Sequence, residues 1–369
     1  MIIVIGAGIL GASTAYHLAK KGEKVLLVDR FDKGQATDAA AGIICPWLSQ
    51  RRNKAWYALA KGGAKYYPEL IQMLEDDGEI VTGYKRVGTL KLEKEAKLNK
   101  LYDIVMKRKE EAPEIGDVQI LSLEETQKHF PLLSKEYGSI FVSGGARVDG
   151  RLIRDALING AKRNGAIVEK GSASLIYENN KVIGIQIDGK RTIEGNLVVD
   201  CTGAWSKQLL EPLNLSFDVT HQRAQIIHLE LPDVDTSDWP VVMPPGQTYL
   251  LTFPEGRIVI GATRTDEAQF EHRVTVDFLA DTFNQVLPIA PELRESSLLE
   301  VRVGFKPYTP GFLPMFGKLP NIEGIVVGNG LGATGLTSGP YVGHLLSQLI
   351  TGEKLDISIA PYQLSDHLE

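Results

Sequence analysis

The feature that most constrains this chain is a glycine-rich turn near its N-terminus. Gly6-Ala7-Gly8-Ile9-Leu10-Gly11 directly follows the apolar run Ile2–Ile5 and precedes a helical pattern that ends near Gly22. In such a turn the first glycine permits the tight bend, the second lets a phosphate approach the backbone, and the third lets helix and strand pack closely. The start of the helix offers unpaired N–H groups and its positive dipole end. The motif predicts a strand–turn–helix unit that binds a dinucleotide.

An acidic residue completes the pattern. Asp29 ends the next apolar run, eighteen residues after Gly11. This is close to the spacing at which a carboxylate accepts hydrogen bonds from ribose hydroxyls. A carboxylate at this position also repels a 2′-phosphate, so NADP is an unfavourable ligand.

Three later segments favour FAD over NAD. "ATDAAAGI" (residues 36–43) supplies small side chains soon after Asp29, and "VVDCTGAWS" (198–206) reads as a strand that ends at Thr202-Gly203. Residues 330–340 form a second glycine-rich turn before a helix. Each segment permits a close approach of ligand to backbone. A ligand contacted at several distant points of the chain is a long one, which indicates FAD.

Composition narrows the class of protein. The chain has 369 residues, 43% hydrophobic and 23% charged, with a net charge of −6, and it shows no dense basic stripe. These values are typical of a globular protein and argue against nucleic-acid binding. The two cysteines, Cys45 and Cys201, define no disulfide framework, and the histidines form no metal-binding spacing. We therefore expect a reducing, cytoplasmic location, no signal peptide, no metal and no membrane-spanning segment.

The hydrophobic pattern changes along the chain and indicates two domains. Both ends alternate apolar strands with helices, whereas residues 219–303 alternate as antiparallel strands do. We predict an α/β fold: a Rossmann-type FAD-binding domain with an inserted substrate-binding domain, a mostly antiparallel β-sheet plus helices. The FAD-binding domain is predicted at residues 1–85, 145–218 and 304–367, and the substrate-binding domain at residues 86–144 and 219–303.

Three local predictions accompany this division. A helix over residues 53–75 is expected to be interrupted near Gly62 and Gly63. The charge-rich run at residues 94–111 carries apolar residues at helical spacing, which indicates a helix with a solvated face. Pro254-Glu255-Gly256 predicts the turn of a hairpin.

The order of these motifs resembles that of the D-amino-acid-oxidase family of FAD-dependent oxidoreductases, in the branch of glycine oxidase and sarcosine oxidase. The resemblance covers essentially the whole chain. The residues that carry it are "VIGAGILGASTAYHLAKKG", "ATDAAAGI", "RVDGRLIRDAL", "VVDCTGAWS", "GRIVIGAT" and "GFKPYTPGFLPMFG…GIVVGNGLGATGLTSGP".

The resemblance implies FAD as cofactor and a set of residues around it. The turn at residues 331–337 would face the isoalloxazine ring, where its amides and helix dipole would stabilise negative charge. The full set of predicted cofactor-binding residues is Gly6, Gly8, Ile9, Leu10, Gly11, Asp29, Arg30, Ala36, Thr37, Ala41, Gly42, Ile43, Ser174, Thr202, Gly203, Gly330, Leu331, Gly332, Ala333, Thr334, Gly335, Leu336 and Thr337.

The substrate site departs from the family pattern. The family usually has an arginine where "GFKPYTP" has Lys306, and that arginine binds the substrate carboxylate with two parallel hydrogen bonds. Lysine keeps the charge but lacks the planar fork. A second arginine of some glycine oxidases would fall at Ala333, and Tyr249 matches the tyrosine that hydrogen-bonds the substrate.

Several arginines are candidates to compensate for the missing fork. Arg302 is an even number of residues from Lys306 and would share its face of an unbroken strand. Arg223 and Arg264 are further candidates. We select Lys306, Tyr249 and Arg302 as the catalytic candidates. Each also has an ordinary structural interpretation, a solvated lysine or a strand arginine in a salt bridge. Cys45 lies just past the "AAGI" run and is expected near the flavin, either as a covalent attachment point or as a small buried thiol.

The resemblance implies that a small amino acid or secondary amine, of the glycine, sarcosine or D-amino-acid type, is oxidised by hydride transfer from its carbon to flavin N5. The resulting imine hydrolyses, and no dedicated catalytic base is required. Oxygen or another acceptor would reoxidise the flavin, and a homo-oligomer remains open. Two alternatives stay open: a 2-hydroxyacid or glycerol-3-phosphate oxidoreductase, and an FAD-binding subunit of an amine dehydrogenase complex.

Overall fold

A computed structural model describes residues 1–49, 51–215, 217–266 and 269–364, without the side chains of residues 262–264. In these ranges the helices are α1 (Ile9–Lys20), α2 (Lys54–Asp76), α3 (Glu95–Lys109), α4 (Leu123–His129), α5 (Gly150–Arg163), α6 (Ser206–Leu210), α7 (Val276–Val286) and α8 (Gly335–Thr351). The strands are β1 (Ile2–Ile5), β2 (Val25–Asp29), β3 (Ile43–Ile44), β4 (Lys85–Arg86), β5 (Thr89–Glu93), β6 (Val118–Leu121), β7 (Gly138–Val142), β8 (Ala146–Arg147), β9 (Ile167–Lys170), β10 (Ala173–Glu178), β11 (Lys181–Ile187), β12 (Arg191–Glu194), β13 (Leu197–Asp200), β14 (Thr220–Glu230), β15 (Val241–Met243), β16 (Tyr249–Thr252), β17 (Arg257–Asp266), β18 (Ser297–Tyr308), β19 (Met315–Lys318) and β20 (Ile325–Asn329).

The first sheet has six strands in the order β19-β20-β13-β1-β2-β9. All its pairs are parallel except β19 with β20. Its central strands are buried on both faces, which explains why they are continuous apolar runs rather than alternating ones. In β1, Ile2 and Val4 pack in the core cluster that contains helices α1, α2, α5 and α8. Ile3 and Ile5 pack in the opposite core with residues of β10 and β11, two strands of a three-stranded antiparallel sheet.

The second large sheet has eight strands in the order β18-β14-β17-β16-β15-β5-β7-β6. Its pairs are antiparallel except β15 with β5. The mixed α/β fold and the mostly antiparallel second sheet confirm the predicted fold class. The domain boundaries themselves stay a prediction, and β18 runs without a break across the predicted boundary between residues 303 and 304.

Two of the three local predictions are confirmed and one is wrong. Thr252 pairs with Ile258, so residues 254–256 do form a hairpin turn. Helix α3 buries Leu98, Leu101 and Val105 while its charged residues face outward. Helix α2, however, is not interrupted at its paired glycines.

Helix α2 runs unbroken through Gly62 and Gly63 because these glycines pack against α8. A Cβ on Gly63 would stand 2.1 Å from the carbonyl oxygen of Thr337, and one on Gly62 would stand 2.6 Å from the ring of Tyr341. The glycines therefore permit close helix packing instead of ending the helix. No helix in the described ranges is both long and apolar enough to cross a membrane.

Candidate active site

A cavity of about 460 Å³ opens at the carboxyl ends of the parallel strands of the six-stranded sheet. This is the edge at which open α/β sheets bind ligands. Its walls come from residues 5–10, 28–43, 171–174, 201–212, 305–307 and 328–337, together with Tyr249. The cavity thus lies between the glycine turn after β1 and strands β16 and β18 of the eight-stranded sheet.

The glycine turn has the geometry that its sequence predicts. Gly6 has a φ of 95°, and a Cβ there would stand 2.5 Å from the carbonyl oxygen of Cys201. A Cβ on Gly11 would stand 1.8 Å from the carbonyl oxygen of Gly6, so only glycine lets helix α1 pack on the turn. The amide of Ile9 donates to the hydroxyl of Thr37 at 2.9 Å. Strand, turn and helix start are held as one unit.

Asp29 has a structural role beside the predicted one. Its carboxylate accepts hydrogen bonds from the amide of Ala7 at 2.5 Å, from the amide of Phe31, and from the side-chain amide of Gln35 at 2.8 Å. A carboxylate offers roughly four lone-pair sites, so capacity remains for a ribose hydroxyl. Asp29 is 8% exposed and lines the cavity.

The wall beside the glycine turn is built from two further strand ends. The side chain of Asn329 donates to the carbonyl of Gly203 at 2.9 Å and accepts from the amide of Gly330 at 2.7 Å, which ties the end of β20 to the end of β13. Asp200 is fully buried, and burial raises the pKa of its carboxyl. It accepts from the amide and the hydroxyl of Thr202 at 2.9 and 2.6 Å, and so fixes the turn after β13.

The small-residue segment approaches the cavity closely, as predicted. Gly42 has a φ of 92°, and a Cβ there would stand 1.8 Å from the carbonyl oxygen of Val148. The hydroxyl of Thr337, in the first turn of α8, donates to the carbonyl of Ile43 at 3.0 Å. The segment and the second helix start therefore share one wall.

Most of the predicted residues line this cavity, and three do not. Those that line it are Gly6, Gly8, Ile9, Leu10, Asp29, Arg30, Ala36, Thr37, Ala41, Gly42, Ile43, Ser174, Thr202, Gly203, Tyr249, Lys306, Gly330, Leu331, Gly332, Ala333, Gly335, Leu336 and Thr337. Gly11 packs inside the turn, and the hydroxyl of Thr334 donates to the carbonyl of Leu331 at 2.9 Å. Arg302 is the third exception.

Lys306 and Tyr249 reach the cavity from the eight-stranded sheet. The only other lysine or arginine that lines it, within the described residues, is Arg30, which pairs with Asp32 at 2.8 Å beside the end of β2. Tyr249 pairs with Gly261 on the neighbouring strand, where a Cβ would stand 2.8 Å from the phenol oxygen. Burial raises the pKa of Tyr249, which keeps its hydroxyl protonated as a donor.

Arg302 shares the strand with Lys306 but is held elsewhere. Its side chain pairs with Glu300 at 2.5 Å and donates to the carbonyl of Asp38 at 3.3 Å. Between the two residues, a Cβ on Gly304 would meet Ala39 at 2.7 Å, so the loop that carries Ala39 covers this part of the strand. Arg302 therefore does not line the cavity, and its selection as a catalytic candidate stays a prediction that this geometry does not support.

Arg223 and Cys45 do not line the cavity. Arg223 is 7% exposed and donates to the carbonyl of Arg273 at 3.4 Å. The side chain of Arg264 lies outside the described residues. Cys45 is buried and does not line the cavity, and burial raises the pKa of its thiol to about 12. Of the two interpretations of Cys45, the structure contains the small buried thiol.

Sequence reasoning missed several cavity residues. Gln35 braces Asp29, while Trp205 and Gln208 line the wall after β13. Trp205 stands two positions after Gly203 inside a quoted motif, so its position was available as a signal. Gln208 lies in α6, outside every motif, and only the fold places it here.

The comparisons with known proteins fit this geometry. Residues 1–349 match the family described as FAD dependent oxidoreductase, DAO. The chain belongs to this family. It is 51% identical over 362 residues to the uncharacterized oxidoreductase YurR of Bacillus subtilis, covering 98% of this chain and 97% of that protein. It is 28% identical over 375 residues to glycine oxidase of Pseudomonas aeruginosa, with 98% and 97% covered. The crystal structure of iminodiacetate oxidase from Chelativorans sp. BNC1 is 40% identical, covers 99% of each chain, and has a TM-score of 0.95.

The DAO family is FAD-dependent, and the residues of the cavity fit this cofactor. Gly8 and Gly335 stand at the starts of two helices and both line the cavity. Open space lies where a Cβ of Gly335 would stand, and a Cβ of Gly8 would meet only the hydroxyl of Thr37, at 3.4 Å. Two helix starts with unobstructed backbone would suit the anionic pyrophosphate of FAD and the negative charge of its reduced flavin ring. The protein is an FAD-dependent oxidoreductase.

Proposed function

We propose that this protein oxidises a small secondary amine that carries a carboxylate, an N-substituted glycine. The observation that supports it most is that Lys306 and Tyr249 both line the cavity from the eight-stranded sheet. A cation and a neutral hydroxyl donor on one wall suit a carboxylate. The likeness to iminodiacetate oxidase, at 40% identity over 99% of the chain, favours a secondary amine over glycine itself.

The chain contributes binding and orientation in this proposal. Lys306 and Tyr249 would hold the carboxylate, so that the glycine methylene faces the flavin side of the cavity. Ala333, which lines the cavity without a charge, leaves room for the substituent on nitrogen. FAD, when bound, would supply the acceptor for the hydride that leaves the methylene carbon. The nitrogen releases its proton, and water hydrolyses the C=N bond to give glyoxylate and the free amine.

The test is an anaerobic stopped-flow screen of flavin bleaching. Iminodiacetate, sarcosine, glycine and a D-amino acid are compared with a 2-hydroxyacid and glycerol 3-phosphate. We expect the secondary amines to reduce the flavin fastest, with glyoxylate and the amine as products. Fast reduction by the hydroxyacid or the phosphate alone would overturn the proposal. Admitting air then shows whether oxygen is the acceptor.

Lys306→Met tests the carboxylate contact directly. We expect kcat/KM for carboxylate substrates to fall about 10- to 100-fold, because a hydrogen bond to a charged group contributes roughly 1.5–3 kcal/mol. Lys306→Arg should retain most activity. Lys190→Met, which removes a lysine from an exposed turn, is the matched control. Unchanged flavin reduction in Lys306→Met would show that Lys306 does not contact the substrate.

The predicted cytoplasmic location and the individual cofactor contacts also stay proposals. The hydroxyacid oxidoreductase and the dehydrogenase subunit are the alternatives that the same screen separates. A chain that holds FAD but is reduced by none of these substrates would favour the subunit.

A further inference from the structure

A cluster of aromatic rings lies against the cavity wall beside strand β18. We call Trp205, Phe270, His221 and Phe305 the aromatic stack. Trp205 and Phe305 also line the cavity, whereas Phe270 and His221 do not. No motif in the sequence pointed to Phe270.

Phe270 is the central member of the aromatic stack. Its ring lies parallel to Trp205, with centroids 4.9 Å apart and an interplanar angle of 7°. It lies parallel to His221 at 4.3 Å and 11°. It meets Phe305 edge to face at 4.9 Å and 78°. Aromatic pairs at such distances contribute beyond the area that they bury.

Trp205 also contacts a residue of the cavity wall, Arg30. The guanidinium carbon of Arg30 lies 5.9 Å from the centroid of the Trp205 ring, and both residues line the cavity. Trp205 stands in the turn after β13, which Asp200 fixes through Ser206 and Thr202. The hydrogen bonds of Asp200 therefore fix the backbone of Trp205. Its ring is positioned by Arg30 and by the other members of the aromatic stack.

Phe270 reaches Trp205 from the other sheet. It lies in residues 269–275, before α7, where the amide of Glu271 donates to the carbonyl of Gln269 at 3.0 Å and the side chain of Arg223 donates to the carbonyl of Arg273 at 3.4 Å. The ring of His272 meets Phe305 edge to face at 5.0 Å and 90°. Side chains thus dock this segment onto the cavity wall, and Phe270 remains 37% exposed. Part of the Phe270 side chain therefore faces solvent, while the ring packs on Trp205, His221 and Phe305.

We propose that Phe270 is a cofactor-positioning residue that acts through Trp205. It holds the indole ring against the bound FAD and slows release of the cofactor. The aromatic stack closes the side wall of the cavity between the two sheets. Removing Phe270 frees the indole ring to rotate away, while Lys306 and Tyr249 keep their places. The role concerns retention of FAD and is independent of which substrate the enzyme oxidises.

The experiment measures FAD release from the purified holoenzyme. Dissociation on dilution is followed by the recovery of free-flavin fluorescence, and the apoprotein is titrated with FAD. We expect Phe270→Leu to raise the Kd for FAD about 3- to 10-fold, in line with the range measured for aromatic pairs. Phe270→Tyr keeps the ring and should stay within about twofold of the native protein.

Phe141→Leu is the matched control because Phe141 also stacks on a histidine, His129, at 5.2 Å and 19°, away from the cavity. It should leave FAD release unchanged. A Phe270→Leu holoenzyme that releases FAD at the native rate would overturn the proposal. So would an equal effect of Phe141→Leu.

A double-variant cycle separates positioning from general destabilisation. If Phe270 acts through Trp205, Phe270→Leu should weaken FAD binding far less in a Trp205→Leu background than in the native one. Equal losses in both backgrounds would show that Phe270 acts independently of Trp205 and would contradict the inference. The Tm of each apoprotein is recorded as well, because a purely structural role lowers Tm without this coupling.

Discussion

At the scale of single residues, the site depends on how one small residue positions a large one. Tyr249 reaches across Gly261, its partner on β17, and a Cβ at Gly261 would stand 2.8 Å from the phenol oxygen. Lys306 lines the cavity and Arg302 does not, although both lie on β18. The same face of β18 is open at Lys306 and covered near Gly304 by the loop that carries Ala39.

Tyr249→Phe is the prediction that belongs to this scale. We expect kcat/KM to fall up to about tenfold, because one neutral hydrogen bond contributes roughly 0.5–1.5 kcal/mol. The flavin spectrum and Tm should stay native. Tyr177→Phe removes a hydroxyl that bonds Asn180 at 2.9 Å, away from the cavity, and serves as the control. The reductive half-reaction under anaerobic conditions is the measurement, and native kinetics in Tyr249→Phe would remove the residue from the site.

At the scale of elements, the first turn of α8 connects helix packing to the cavity. Thr337 lines the cavity and bonds the carbonyl of Ile43, while its own carbonyl faces Gly63 of α2. The position of α2 therefore bears on the residues proposed to face the flavin ring.

Gly63→Ala tests this connection. Alanine is favoured over glycine within a helix by about 1 kcal/mol, so propensity alone predicts stabilisation. A Cβ 2.1 Å from the carbonyl oxygen of Thr337 instead forces α2 and α8 apart. We expect a net loss of about 1–3 kcal/mol in the free energy of unfolding, the usual cost of overpacking. Urea denaturation measures it, with the exposed Lys65→Ala in the same helix as control. A gain in stability would mean that the helices separate without strain.

At the scale of the whole molecule, two buried histidines link stability to pH. The pKa of His17 and that of His228 are both lowered to about 3, mainly by burial and secondly by the neighbouring His344 and Arg302 respectively. Burial keeps His17 neutral, and in the neutral ring Nδ1 donates to the carbonyl of Ser13 at 2.6 Å while Nε2 accepts from the hydroxyl of Tyr66 at 2.5 Å. Both ring nitrogens of His228 are buried without a hydrogen-bond partner in the described residues.

Acid should therefore destabilise the fold. The unfolded chain binds protons at these histidines below pH about 6.5, whereas the folded chain does not until pH about 3. Within this window, each unit by which the pH is lowered reduces the free energy of unfolding by up to about 1.4 kcal/mol for each histidine. Urea denaturation from pH 7 to pH 5 measures the slope. His228→Leu should reduce it and the exposed His129→Gln should not, so an unchanged slope in His228→Leu would refute the assignment.

The turn and strand ends that line the cavity could be predicted from sequence because their signals are local. The glycine spacing, the flanking apolar runs and Asp29 each describe backbone that must bend or approach a ligand within a few residues. Those constraints hold in any fold that contains a strand–turn–helix unit. The strand-like character of β1 and β2 likewise follows from apolar runs that must be buried on both faces.

Contacts between distant segments were decided only by the tertiary structure. Gly62 and Gly63 predict a helix interruption, but the helix continues because α8 packs against both glycines. Arg302 and Lys306 are equivalent by strand periodicity, and only the covering loop separates them. Phe270 and Trp205 are 65 positions apart and carry no shared motif, yet they stack at 4.9 Å. A sequence pattern records what each segment requires locally, whereas the choice of partner depends on how the two sheets pack around the cavity.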